Sequence, residues 1–211
     1  MPFRRTGLYK LAERIGMWMS ERIEVDGLWV GVFAEPDDDA LLARVRDALG
    51  LIAAHDPYRH RLIRREMDRI WIHLLPGDNS DWVAEERHCT LDPRVVRQQA
   101  LDELAAMVIH EAVRARIERR GVTRHDYVRR QEIDRACLRQ ELAFARRVPD
   151  GAALITSIGA RMLRPAEFWA ARSLRQRQAQ GEVELMAYAD VPGWAMRTAM
   201  AVRRVRAWMR R

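Results

Sequence analysis

The sequence of residues 101–118 is LDELAAMVIHEAVRARIE, and its apolar side chains recur every three or four positions. This spacing places them on one face of an α-helix. Gly121 follows, and glycine commonly stands just beyond a helix C-terminus. The pattern predicts one long helix, or two consecutive helices, between Val95 and Arg120, with a buried stripe formed by Leu101, Leu104, Ala105, Val108, Ala112 and Ala115.

Outside this helix, the β-prone runs are confined to the first half of the chain. Runs of β-branched and aromatic residues predict strands at 27–33 and 69–75, and a weaker strand at 81–89. Together the patterns predict an α+β fold that is predominantly helical. The other helices predicted from apolar periodicity and from start and stop residues lie at 8–21, 41–52, 57–68, 123–147, 165–180 and 193–211.

Length and charge limit the organisation of the chain and its partners. With 211 residues the chain can bury a sizeable core, and we expect a single domain over residues 1–211. All of its 37 basic residues except Lys10 are arginine, and the formal net charge is +7. Such a charge permits contact with phosphate-rich surfaces but does not determine a fold.

Cysteine content and hydropathy indicate a compartment. Cys89 and Cys137 are too few for a disulfide framework, so we expect both to be small buried side chains. No apolar run approaches the ~20 residues that span a bilayer, so no transmembrane segment is expected. The first residues lack the unbroken apolar core of a signal peptide. These features predict a cytoplasmic protein.

His110 and Glu111 begin a motif that differs by one letter from a metal-binding sequence. Residues 110–114 read HEAVR, whereas HExxH on a helix directs two imidazoles at one zinc ion and uses its Glu as the general base. Arg114 stands where the second imidazole would be, and a guanidinium has no lone pair to offer a metal. The motif therefore keeps one ligand and the base, and loses the other ligand.

An acidic residue follows the motif at an informative distance. Nineteen residues separate Arg114 from Asp134, and thermolysin-type zinc proteases place an acidic third ligand about this far beyond the second histidine of HExxH. Glu141 lies seven residues after Asp134, so the two carboxylates share a helix face. Both are candidate metal ligands.

The same region resembles an uncharacterised bacterial family of zincin-like proteins. Members of that family typically read VHEATHARLE, then RIE, a cysteine and ELAFARR. The segments that carry the resemblance are residues 89–92, 108–118, 132–134, Cys137 and 141–147. The resemblance implies a zincin-like core at about residues 23–148, in which a small sheet packs on the active-site helix and a second helix delivers the acidic ligand. A helical extension would occupy residues of about 150–211.

The resemblance also implies roles for particular residues. Glu111 would be the general base, and His110 with Asp134 or Glu141 would bind zinc. Because Arg114 and Asp134 both depart from the family's pattern, we predict that they form an ion pair that plugs the place of the metal, with Glu141 as the other acid within reach of Arg114. Two alternatives are that Arg114 pairs with Glu111 on its own helix, and that Glu141 pairs with another arginine. The residues predicted to overhang the cleft are His125 and Tyr127.

Three functions are compatible with these features. We prefer a metal-free zincin-like domain that binds an unknown peptide or protein in a regulatory role and needs no cofactor. The first alternative is an active zinc-dependent metallopeptidase that holds zinc despite Arg114. The second is an arginine-rich adaptor, because residues 200–211 have the pattern of a basic amphipathic helix that suits an anionic membrane or a phosphate backbone.

Overall fold

The structure of the chain is a computed structural model that describes residues 14–33, 35, 37–75, 79–122 and 127–188. Strands and helices alternate in its first half, and helices alone make up its second half. The predicted α+β, predominantly helical fold is confirmed. The strands are Glu21–Val25 (β1), Leu28–Val32 (β2), Arg69–Ile72 (β3), Ser80–Val83 (β4) and His88–Leu91 (β5). The helices are 14–19 (α1), Asp38–His55 (α2), Pro57–Glu66 (α3), Pro93–Gln98 (α4), Leu101–Arg119 (α5), Tyr127–Ala145 (α6), Ala152–Met162 (α7) and Ala171–Tyr188 (α8), with a 3₁₀ helix at Ala166–Trp169.

The five strands form one mixed sheet in the order β1-β2-β3-β5-β4. Its three inner strands, β2, β3 and β5, run parallel and are almost wholly buried, as their near-continuous apolar sequences require. The outer strands, β1 and β4, run antiparallel to their neighbours. Within the described residues β4 therefore forms one edge of the sheet.

Strand β1 was not predicted from the sequence. Its residues, ERIEV, are half polar, as suits an outer strand, and they pair with β2 through a tight turn. In this turn Asp26 has a φ of 52° and Gly27 a φ of 80°. Two successive positive φ angles define the turn type that best fits a two-residue hairpin, and Asp-Gly is a preferred sequence for it. The turn was therefore the signal that could have revealed the strand.

Three other parts of the structure differ from the sequence prediction, the segment 81–89, helix α7 and helix α8. The predicted strand at 81–89 is two strands, β4 and β5, joined by a turn in which Arg87 has a φ of 51°. The helical stretch before Arg120 is two helices, one of the two possibilities that the pattern left open, because Ala100 is extended between α4 and α5. Helix α7 was not predicted. Helix α8 continues through Gly181, where an end was expected, because a single glycine lowers helix stability by only about 1 kcal/mol.

Helix α5 lies at the centre of the molecule. It packs against α2, α3, α6 and β4, and the predicted stripe is buried except for Leu101, which is half-buried. Cys89 and Cys137 are both free and fully buried, as predicted. Helix α7 packs on α6, so this part of the C-terminal extension contacts the core. None of the helices in the described ranges combines the length and the apolar character that crossing a membrane requires.

Candidate functional site

Arg114 lies at the centre of a buried cluster of charges between α5 and β4. Its Nη1 donates to Oε2 of Glu111 at 3.1 Å, and its Nη2 donates to Oδ1 of Asp81 at 3.1 Å. A longer contact of 3.5 Å joins its Nε to Oε1 of Glu118. Burial lowers the pKa of Arg114, but the charges of Glu111, Asp81 and Glu118 outweigh that effect and raise it. Arg114 is therefore a fixed cation held by three carboxylates.

The predicted ion pair between Arg114 and Asp134 is wrong. The alternative in which Arg114 pairs with Glu111 along the same helix is confirmed. Position 114 lies about 60° around the helix from position 111 and about 40° from position 110, so the side chain can turn to either side. Two carboxylates of its own helix and Asp81 of β4 lie on the side away from α6, and Arg114 turns to them.

Glu111, the expected general base, is bound on both of its oxygens. Oε1 accepts a hydrogen bond from the Ser80 hydroxyl at 2.7 Å, and both oxygens contact Nη1 of Arg114. The side chain is 3% exposed. A carboxylate held in this way is an acceptor within the protein and has little freedom to receive a proton from a water molecule. The site thus uses Glu111 as an internal partner of the arginine.

His110 turns to the opposite side of the site and meets α6. Its Nδ1 donates to Oε1 of Glu141 at 2.5 Å, and its Nε2 lies 3.7 Å from Oδ1 of Asp134. Burial lowers the pKa of His110, yet the neighbouring Cys137 and the hydrogen bond and charge of Glu141 raise it well above its usual value. The predicted shared face of Asp134 and Glu141 is confirmed, and this face lies against His110.

Arg161 of α7 completes this half of the site. Its two terminal nitrogens donate to the two oxygens of Glu141 at 2.6 and 3.0 Å, so the alternative of an arginine partner for Glu141 is also confirmed. Burial raises the pKa of Glu141, but the hydrogen bond and charge of His110 and the charge of Arg161 lower it overall. Burial raises the pKa of Asp134 despite the opposing charges of His110 and Arg161. Glu141 is therefore the better stabilised carboxylate of the two.

The arrangement does not fit a zinc site of the HExxH type. Zinc sites of this kind need three protein ligands directed at one point. Glu141 binds Nδ1 of His110 while Asp134 lies near Nε2, so the two carboxylates are at different nitrogens of the ring. Glu141 thus stands where a metal-binding histidine keeps an orienting partner, and at most His110 and Asp134 face a common point. In the described part of the chain, no group of three or more His, Cys, Asp and Glu side chains is arranged to hold a metal ion.

No family model, no curated protein and no solved structure matches the chain. The resemblance to zincin-like proteins therefore stays a prediction that rests on the motif and its flanking segments.

The two residues predicted to overhang the cleft are His125 and Tyr127. His125 lies outside the described residues, whereas Tyr127 is the first residue of α6. The basic segment 200–211 also lies outside the described residues.

Three residues that the sequence did not single out complete the site, namely Ser80, Asp81 and Arg161. Asp81 began the weaker strand predicted at 81–89, and neither it nor Ser80 just before it was given a role in the site. Arg161 is one of many arginines, and no spacing rule links it to Glu141. Of these three residues, only Ser80 and Asp81 had a signal that could have been recognised, because they are a polar pair at the start of a strand.

Proposed function

We propose that the chain is a zincin-like protein with a degenerate site, which needs no metal and binds an extended peptide or protein segment. The observation that carries this proposal is the placement of Arg114. Its guanidinium occupies the motif position of a zinc ligand and is bound to Glu111, the residue that would act as base, and to Asp81 of the edge strand. One substitution therefore removes a ligand and engages the base.

The loss of catalysis follows from the same contacts. A zinc ion lowers the pKa of its bound water to about 7, and this supplies the nucleophile in zinc hydrolases. A guanidinium cannot bind water as a Lewis acid does, and the Arg114 cation already balances part of the negative charge around it. Without another source of nucleophile, the site supports binding and not peptide hydrolysis.

The edge strand supports the assignment of a peptide ligand. Within the described residues β4 pairs with β5 alone, so its outer backbone groups lie along the border of the site. An extended peptide can add to such an edge as a further strand. Ser80 and Asp81 begin this strand and contact the motif residues, and Asp81 is 34% exposed at its side chain. A peptide on β4 would therefore meet the carboxylate-rich cluster around Arg114, which favours basic side chains.

A metal-dependent peptidase is the second candidate, and the orientation of His110 favours it. Its Nδ1 is held by Glu141, as the non-coordinating nitrogen of a metal-binding histidine is held by a carboxylate. Its Nε2 faces Asp134. His110 and Asp134 would then be two ligands of a metal ion, and a third ligand would have to take the place that Arg114 occupies in the motif.

Metal analysis separates the two candidates. Purified wild-type protein equilibrated with zinc and then dialysed is expected to carry no stoichiometric metal. Stoichiometric zinc that is lost in His110→Ala would contradict the metal-free proposal and support the peptidase. The double variant Arg114→His with Asp134→Glu is expected to gain zinc affinity, because it restores the family's residues at the two positions that depart from its pattern. Failure of the folded double variant to bind zinc would contradict the zincin-like relationship itself.

Peptide binding needs its own test. Peptides selected from a random-sequence library on the wild-type protein are expected to be enriched in basic residues. Methylating alternate backbone nitrogens of a selected peptide should abolish binding for one set of positions only, because one edge of the added strand donates to β4. Equal effects of both methylation sets would exclude strand addition.

A further inference from the structure

A second concave site lies on another face of α5. Helices α3, α5 and α6 border a cavity of about 230 Å³, to which α5 contributes Val113, Arg116 and Ile117, and the residue just after its end, Arg120, also lines it. Arg116 lies about 160° around the helix from Arg114, whereas Ile117, seven positions after His110, shares the face of His110. The cavity is therefore separate from the cluster around Arg114, and an inference drawn from it is independent of the proposed peptide site.

Hydrogen-bond donors line this cavity. Three arginines border it, Arg116 from α5, Arg120 just beyond the end of α5 and Arg139 from α6, and none of the residues that line it is acidic. Gln140 contributes an amide whose Oε1 already accepts from Nη2 of Arg59 at 2.7 Å. The amide nitrogen of Gln140 therefore remains to donate. A surface that offers donors and positive charge without acceptors is complementary to an anion.

Arg116 is half-buried and Arg120 and Arg139 are exposed, whereas several other arginines of the molecule are held in ion pairs. Arg59 pairs with Asp56, Arg94 with Asp92 and Arg161 with Glu141. In contrast, among the described residues no carboxylate pairs with any arginine of the cavity. The net charge of the chain leaves some arginines unpaired, but three around one cavity concentrate that excess at a single place.

Tyr58 adds a hydroxyl at the mouth of the cavity. Nη1 of Arg116 donates to the Tyr58 oxygen at 3.2 Å, so the hydroxyl hydrogen is left to donate to another group. This hydrogen bond, together with the charge of Arg116, lowers the pKa of Tyr58. The local potential is therefore positive at the point where a ligand would enter.

The remaining lining is apolar and selects for more than charge. Leu62 of α3, Val113 and Ile117 of α5 and Ala136 of α6 provide hydrocarbon surface beside the donors. The cavity holds the volume of roughly eight water molecules at about 30 Å³ each. It is smaller than the pockets of roughly 300–1,000 Å³ that take drug-sized ligands. One ring or a short aliphatic chain with a charged head group suits this space.

We propose that the cavity between α3, α5 and α6 binds a small organic anion, with its carboxylate or phosphate group on Arg116, Arg139 and Gln140 and its apolar body against Val113, Ile117 and Ala136. Two parts of the ligand are thus recognised by two parts of the cavity. Inorganic phosphate, which lacks the apolar body, binds more weakly than phenyl phosphate. Neutral benzyl alcohol, which lacks the head group, does not bind measurably.

Titration calorimetry with phenyl phosphate, benzoate, inorganic phosphate and benzyl alcohol tests this assignment on the full chain. The double variant Arg116→Gln with Arg139→Gln is expected to lose about tenfold or more in affinity for phenyl phosphate, since each charge-assisted hydrogen bond contributes strongly. The comparison of phenyl phosphate with benzoate shows which head group the site prefers. Affinity of the double variant within about twofold of the wild-type value would overturn the proposal.

Two further variants separate a built site from general attraction to a basic protein. Arg22→Gln with Arg172→Gln makes the same change in net charge at exposed positions outside the cavity, and it should leave affinity unchanged. Ala136→Leu keeps every arginine but fills the cavity, and it should abolish phenyl phosphate binding. Equal loss of binding in the control pair, or no effect of Ala136→Leu, would overturn the proposal. Preferential binding of a short single-stranded RNA that Ala136→Leu leaves intact would do the same.

Discussion

Arg114 shows how one residue changes the chemistry of a site while its neighbours keep their places. The guanidinium is 7% exposed at its side chain and is bound by carboxylates from α5 and β4. A cation in such a position is costly to bury unless its charge and its donors are matched. The carboxylates of Glu111, Asp81 and Glu118 supply that match. The residue is therefore an integral part of the packing between the helix and the sheet edge.

Replacing Arg114 by methionine should destabilise the protein. Glu111 has two polar partners, Ser80 and Arg114. The variant Arg114→Met keeps an unbranched side chain of similar reach but leaves the buried carboxylate of Glu111 with Ser80 alone. Removing one member of a buried ion pair typically costs roughly 3–5 kcal/mol in the free energy of unfolding. Urea denaturation followed by circular dichroism measures this loss.

The matched control is Arg22→Met on β1, an exposed arginine without an ion pair among the described residues. It should change the free energy of unfolding by no more than about 0.5 kcal/mol. If Arg114→Met were no more destabilising than this control, the cluster around Arg114 would not be a stabilising feature of the fold.

His110 gives the stability of the protein a pH dependence with a definite sign. Its pKa is raised well above its usual value in the folded state, because Cys137 and Glu141 outweigh the effect of burial. Its contribution is therefore fully present below the unfolded-state pKa of about 6.5 and is lost as the pH rises through the raised folded-state value. The difference in unfolding free energy between wild type and His110→Gln should be larger at about pH 6 than at about pH 9. A difference that is constant over this range would show that folding does not raise the pKa of His110.

At the scale of the element, the turn between β1 and β2 depends on glycine. Gly27 has a φ of 80°, whereas Gly50 lies within α2, where an added Cβ would meet no atom within 4 Å. Gly27→Ala should lower the free energy of unfolding by about 1–2 kcal/mol, because an L side chain is strained in the left-handed region. Gly50→Ala should raise it by roughly 0.5–1 kcal/mol, because alanine has the higher helix propensity. Thermal unfolding of the two variants measures both signs, and a stabilising Gly27→Ala would contradict the turn.

The elements that could be predicted are those with a strong local pattern. The buried stripe of α5 and the apolar runs of β2 and β3 identified themselves through periodicity and composition. Strand β1 is half polar and was marked only by its Asp-Gly turn, and α7 carries a short helical pattern in Leu154 and Ile158 that was missed. Both are held by contacts with a neighbouring element, β1 by pairing with β2 and α7 by packing on α6.

At the scale of the whole molecule, the ion pair of Arg161 joins the C-terminal helices to the centre of the core. The chain of contacts runs from α7 through Glu141 of α6 to His110 of α5. Glu141 is fully buried, so its charge depends on both partners. This link supports the prediction of a single domain, in which α7 unfolds together with the core.

Arg161→Gln should therefore lower the stability of the entire fold. The variant leaves the buried Glu141 with one charged partner, His110, and an expected loss of about 1–3 kcal/mol follows from the lost charge-assisted hydrogen bonds. Unfolding should remain a single transition when followed by far-ultraviolet and near-ultraviolet circular dichroism. Arg172→Gln, at an exposed position of α8, serves as the control and should have little effect. Loss of the helical signal of α7 and α8 alone, with the core transition unmoved, would show that the extension folds separately.

The sequence by itself determined the α+β class, the central helix with its buried face, and the positions of His110, Glu111 and Arg114 along it. It also determined that Arg114 cannot bind a metal, because that follows from the chemistry of the guanidinium. Only the tertiary structure decided which carboxylate each cation meets. Ser80, Asp81 and Arg161 are distant in sequence from the residues they contact, and in a chain rich in arginine many pairings satisfy the same charges. Helix packing selects among them, because it fixes the few carboxylates within reach of each side chain.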